Sequence, residues 1–102
     1  MANAEQILDV CADPTRRAVL LTLRSGPRAV GSIADGLPVT RSAVSQHLKV
    51  LADAGLVRST ADGTRRLYRI DPDGFTELRS WFDQFWDDAL GAFARHVEED
   101  SR

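Results

Sequence analysis

Cysteine, histidine and long apolar runs are what this chain is short of, and each shortage excludes something. Cys11 is the single cysteine, so no intrachain disulfide can form and a reducing cytoplasm fits. His47 and His96 are the two histidines. They fall on different elements, no Gly-rich phosphate loop or Ser-His-Asp order accompanies them, and an enzyme is not expected. No apolar run reaches the roughly 18 residues of a membrane span. The opening Met1-Ala-Asn-Ala-Glu-Gln6 lacks a basic stretch ahead of an apolar core, which argues against a secretory signal. Internal repeats, low-complexity tracts and linkers are absent too.

What remains is 102 residues, 43% of them apolar, enough for one domain spanning 1–102 with a workable core. At this size a dimer interface can supply much of the stability. The net charge of −2 hides a split. Residues 14–70 carry ten Lys/Arg against Asp35, Asp53 and Asp62, a balance of +7, whereas residues 71–102 come to −6. Screening at physiological salt acts over roughly 8 Å, so the local field decides which partner a surface meets. The basic middle can face a polyanion while the acidic end faces elsewhere.

The middle contains Leu37-Pro-Val-Thr-Arg-Ser-Ala-Val-Ser-Gln-His-Leu-Lys-Val-Leu51. Thr40 is placed to cap a helix that stops near Gly55. At about 100° per residue, Val44, Leu48 and Leu51 share one side, and Ser42, Ser45, Gln46 and Lys49 the other. That second face is short, hydroxyl- and amide-bearing and cationic at its margins. A helix that enters a DNA major groove needs these properties. A merely solvated face is the plain alternative, and it usually mixes both signs of charge. His47 lies at the edge of the apolar arc, suited either to packing or to a phosphate.

The flanking residues supply context. Residues 4–12 read as a helix with Ile7, Leu8 and Cys11 at apolar spacing. Asp13-Pro14 is a helix start, and Val19, Leu20 and Leu23 turn a second helix to a core before Ser25-Gly26-Pro27 stops it. A third short helix is expected over about 31–36, with Ile33 and Ala34 inward. Leu56 to Ser59 and Arg65 to Ile70 read as strands joined at Asp62-Gly63, the strong signal for a two-residue hairpin loop. Asp71-Pro72 opens a long last helix, about 72–98, with Phe75, Leu78, Phe82, Phe85, Ala89, Phe93 and Val97 at helical spacing and Trp81 and Trp86 beside them. The expected fold is mainly α with a β-hairpin, in the order α-α-α-α-β-β-α: a winged helix-turn-helix. Arg65 and Arg66 near the hairpin tip suit phosphate or the minor groove, the alternative being a solubilising edge. Arg16 and Arg17 can contact DNA or pair internally.

Four ordered stretches carry a further resemblance: Ala12-Asp-Pro-Thr-Arg-Arg17, Ala43-Val-Ser-Gln-His-Leu-Lys-Val-Leu51, Ala54-Gly-Leu-Val57 and Gly63-Thr-Arg-Arg-Leu-Tyr68. Over about residues 5 to 90 the chain resembles the ArsR/SmtB-type winged-helix repressors. The resemblance implies a homodimer that binds a palindromic operator in double-stranded DNA and represses transcription, often of its own operon. It implies pairing through the first and last helices, here Ile7, Leu8, Phe82, Phe85, Trp86, Ala89 and Phe93. The implied DNA-contact set is Thr40, Arg41, Ser42, Ser45, Gln46, His47, Lys49, Arg65 and Arg66.

The chain departs from the metal-sensing members. Ala29 and Gly31 stand where those members carry Cys-x-Cys. Asp71 and Asp73 open the last helix, but no histidine joins Gln84 to Asp88 one span on. Asp83, Phe85, His96 and Glu99 follow a metal-like spacing with Phe in place of a histidine, too far down the helix. No metal and no cofactor are expected. The alternative is a sensor released from DNA by a metal, an oxidant at Cys11 or an apolar ligand among Trp81, Phe82, Phe85, Trp86 and Phe93. A stripe at helical spacing more often packs, and a thiol on an apolar helix face is more often inert.

Overall fold

A computed structural model describes residues 2–100. Local chemistry sets the first elements. Helix α1 (Ala4–Ala12) starts in a capping box: Gln6 N donates to Asn3 Oδ1 and Asn3 N to Gln6 Oε1, both at 2.9 Å. Asp13 alone separates it from α2 (Pro14–Thr22), and its carboxylate accepts from Arg16 N at 2.9 Å. The α1 C-terminus would otherwise leave carbonyls unpaired. Arg16 Nη1 reaches the Val10 carbonyl at 3.0 Å, and Arg17 Nη1 those of Cys11 and Ala12 at 3.0 and 3.1 Å. These two arginines therefore clamp α1 onto α2.

A two-residue strand β1 (Arg28–Ala29) leads into α3 (Val30–Asp35), then α4 (Arg41–Asp53), β2 (Val57–Asp62) and β3 (Arg65–Ile70). The sheet is antiparallel in the order β1-β3-β2, with Arg28 opposite Tyr68 and Val57 opposite Ile70. A third strand beside the hairpin was not anticipated from the sequence. The hairpin closes through Gly63 and Thr64, because Asp62 is still paired with Arg65. Gly63 has φ +63° and no non-glycine residue described has positive φ. The turn thus needs glycine at its first central position, as in type II′ turns. The first hairpin strand is longer than expected, reaching Asp62 rather than Ser59.

Ile7, Val19, Leu23, Ile33, Val44, Leu48, Leu51, Leu56 and Val57 form the core between α1–α4 and the sheet. Ile7 departs from expectation: the sequence places it in a subunit interface, yet it is 0% exposed and enclosed by its own protomer. Leu8, one position on, is the large apolar residue of α1 left at the surface.

The last helix does not begin at once. Pro72–Phe75 form a 3-10 turn capped by Asp71, and α5 follows as Thr76–Asp100. No residue of α5 is buried. Its 25 residues run for roughly 37 Å at 1.5 Å per residue, which makes the molecule 69 Å long against 26 and 22 Å across. Along it Trp81 stacks on Phe85, with centroids 5.7 Å apart and planes 12° from parallel, and meets Phe82 edge-on at 5.1 Å.

Candidate nucleic-acid interface

Helix α4 is positioned by its buried stripe. Val44, Leu48 and Leu51 sink into the core, which forces the opposite side outward. Thr40 caps its start by accepting from Ala43 N at 3.1 Å. Thr40, Arg41, Ser42, Ser45, Gln46 and Lys49 are all exposed. His47 is half-buried, unlike that exposed set, with Asp13 within electrostatic reach.

The hairpin beside α4 carries Arg65 and Arg66, both exposed. Arg65 Nη2 pairs with Asp62 across the turn at 3.1 Å, and Arg66 Nη1 donates to Ser59 Oγ at 3.1 Å. The second bond orients Arg66 without neutralising it.

A residue count overstates the cations available to a ligand. Arg16 and Arg17 hold α1 carbonyls, Arg28 Nε donates to the Thr22 carbonyl at 2.8 Å, and Arg58 Nε pairs with Asp71 at 2.7 Å. Among the described residues, Arg41, Lys49 and Arg66 have no carboxylate at ion-pair distance. Of the cations in the basic middle without such a partner, Arg41 and Lys49 lie on α4 and Arg66 and Arg69 on the hairpin, with Arg24 apart from both. The sequence leaves Arg16 and Arg17 open between DNA contact and internal pairing, and the carbonyl bonds assign them to the fold.

Other candidates do not converge. Asp83 and His96 stand 13 positions apart on one helix, roughly 20 Å along its axis. Among the described residues no three His, Cys, Asp or Glu side chains gather as a metal site would require. Cys11 is half-buried; burial pushes its thiol above the ordinary value, against the opposing pull of Arg17 and Arg16. It is therefore a thiol, not a thiolate, at neutral pH.

Asp13 behaves oppositely. The Arg16 amide it accepts, with the nearby charges of His47 and Arg16 adding to the effect, holds its carboxyl below the usual 3.8. The folded chain then binds that proton more weakly than the unfolded chain. The stability this carboxylate contributes is complete above the ordinary value and is lost as pH falls through the lowered one. Urea melts of the wild type and Asp13→Asn are expected to differ at pH 7 and to draw together below about pH 3.8. A difference unchanged between pH 7 and pH 3 would contradict this assignment.

Known proteins share this arrangement. A helix-turn-helix domain family matches residues 12–60. The HTH-type transcriptional regulator Rv2034 of Mycobacterium tuberculosis is 51% identical over 89 residues, 87% of this chain and 83% of that protein. The crystal structure of an ArsR family transcriptional regulator, RHA00566, superposes with a TM-score of 0.73 at 31% identity, over 81% of this chain and 91% of the other. The homodimeric winged helix-turn-helix DNA-binding domain of Mb0332 from Mycobacterium bovis, a possible ArsR-family regulator solved by NMR, gives a TM-score of 0.65 at 29% identity, over 84% and 80% of the two chains. An outward polar helix seated on a core stripe, with a basic hairpin beside it, defines a winged helix-turn-helix DNA-binding protein. The chain belongs to the ArsR/SmtB-type family of transcriptional regulators.

Proposed function

We propose that this regulator is a cytoplasmic homodimeric repressor of a palindromic operator near its own operon, acting by occupancy of the promoter and not by catalysis. Two copies of α4 enter successive major grooves, about 34–36 Å apart, and the two hairpins hold the flanking backbone. Residues 1–102 act as one winged-helix unit, with α5 as its dimerisation helix. The observation that carries this reading is the exposed, carboxylate-free face of Thr40, Arg41, Ser42, Ser45, Gln46 and Lys49. The homodimeric form of the Mb0332 domain and the bare aromatic side of α5 support the pairing, with Leu8, Phe82, Phe85, Trp86, Ala89 and Phe93 in the interface.

The test is a mobility-shift titration of the intergenic DNA upstream of the coding sequence. Affinity is expected to fall about 10³-fold or more between 50 and 200 mM salt, as neutralising six or more phosphates requires. No shift, or one insensitive to salt, would reject the proposal.

Within it, Gln46 and Arg66 have different duties. Gln46 has the amide pair that matches an adenine edge, so Gln46→Ala is expected to cost about 1–3 kcal/mol on the operator and to relax its specificity. Arg66→Ala is expected to weaken operator and scrambled duplex alike and to lower the salt slope by about one. Anisotropy titrations on both duplexes separate the two, and identical behaviour would refute the division.

A further inference from the structure

A cleft of about 660 Å³ opens between α3 and the hairpin, walled by Gly31, Ser32, Arg41, Arg65, Arg66 and Tyr68. Its geometry is set by an unusual lie of Arg41. Although Arg41 opens α4, its guanidinium folds back over α3. A Cβ placed at Gly31 would come 2.9 Å from Arg41 Nη2 and 3.0 Å from Cζ. Those contacts are shorter than carbon and nitrogen tolerate, so any side chain at position 31 would displace the guanidinium. Nor does Arg41 have a hydrogen-bond or ion-pair partner among the described residues.

Arg65 and Arg66 wall the other side; Arg65 is already paired with Asp62, so Arg41 and Arg66 are the two cations without a carboxylate partner, against one lining carboxylate, Asp35. The two unpaired cations leave the opening with a positive local field that favours an anion. The planar guanidinium fork fits phosphate oxygens two at a time.

We infer that this cleft seats a backbone phosphate of the duplex, that Arg41 is a phosphate clamp and not a base reader, and that Gly31 is the positioning residue that keeps it turned into the cleft. The inference rests on the reading that α4 and the hairpin both face DNA. With α4 in a major groove and the hairpin at the neighbouring minor groove, the sugar-phosphate ridge between the grooves passes the opening that lies between the two elements. Phosphate is the shared chemistry of a duplex and of a free small anion, and the duplex is the source assigned here.

Two measurements on the full chain test it. In the first, the Nε–H signals of Arg41, Arg65 and Arg66 are followed in the ¹⁵N-labelled protein during titration with the upstream duplex and, separately, with pyrophosphate. The duplex is expected to move all three. A duplex that moves the Gln46 side-chain amide and leaves the three Nε–H signals in place overturns the inference while sparing the DNA reading. Signals that move with pyrophosphate and not with the duplex assign the cleft to a small anion, and the inference fails. A duplex that moves neither set removes both.

In the second, Gly31→Ala, Arg41→Ala and the double variant are compared on operator and scrambled duplex over a range of salt. Each single change is expected to weaken both duplexes about tenfold, the loss of one charge-assisted phosphate contact, and to lower the salt slope by about one. The double variant is expected to bind no more weakly than Arg41→Ala, because Gly31 acts only through Arg41. Alanine favours helix over glycine, so Gly31→Ala is expected to melt no lower than the wild type. Wild-type affinity in Gly31→Ala, or additive losses in the double variant, would overturn the positioning role.

Discussion

Gly74→Ala is expected to lower the melting temperature by roughly 12–24 °C, the effect of about 3 kcal/mol on a domain of this length. A methyl group at this position would fall inside the Gly55 carbonyl and 3.2 Å from the Leu56 Cα. The atoms in the way are all backbone, so no rotamer change relieves the clash. Only separation of the 3-10 turn at Pro72–Phe75 from the end of α4 makes room. That separation breaks further links, since Asp71 N donates to the Leu56 carbonyl at 2.9 Å and Asp71 Oδ2 accepts from Arg58 Nε at 2.7 Å. Gly31→Ala is the opposite case, because the group in its way is the end of a flexible side chain. Circular-dichroism melts of the two variants beside the wild type check the contrast. A fall of less than about 4 °C for Gly74→Ala, the effect of under 1 kcal/mol, would mean that the turn yields at small cost and does not fix α5 to the DNA-binding helix.

Features written in neighbouring residues were legible in the sequence. Asp13-Pro14 and Thr40 cap their helices as their chemistry requires, Gly55 (φ +79°) ends the recognition helix, and Gly63 makes the hairpin turn. Features that depend on distant residues were not. Strand β1 has only two residues, too few for any periodicity, and it exists because β3 offers a free edge. The 3-10 turn before α5 sets Gly74 against Gly55, nineteen positions earlier, a contact no local pattern announces.

Charge was legible as a total and illegible as a distribution. Arg16, Arg17 and Arg28 count toward the basic middle, yet each donates to helix carbonyls. Nothing in their spacing separates such an arginine from Arg41, whose position against Gly31 arises only when α3 and α4 pack. Ile7 shows the same limit on the apolar side. A helical wheel finds the stripe of α1, but core and interface use the same residue types, and only the packed protomer shows that Ile7 belongs to the first and Leu8 to the surface.

That surface leads to the largest expected effect on function. Phe85 and Phe93 are 50% and 66% exposed, and Trp81, Phe82, Trp86, Leu90 and Val97 lie between 42% and 60%. A continuous apolar face of this kind calls for a cover, and under the proposed function the cover is the same face of a second copy. The double variant Phe85→Glu, Phe93→Glu places four carboxylates at the centre of that contact, on helices whose opposite sides already carry Asp83, Asp87, Asp88 and Glu98. Desolvating unpaired charges there costs several kcal/mol, and lost aromatic anchors typically cost about 2 kcal/mol or more each. Light scattering is expected to give a dimer for the wild type and a monomer for the variant. Neither phenylalanine is buried in the protomer, so the change leaves the core of the single chain intact. Operator affinity is expected to fall about 10²–10⁴-fold, because the second half-site is no longer met at the effective concentration that linkage provides. Contacts to a single half-site survive, since α4 and the hairpin are untouched. A variant that stays dimeric, or a wild type that binds its operator tightly as a monomer, would refute pairing through α5.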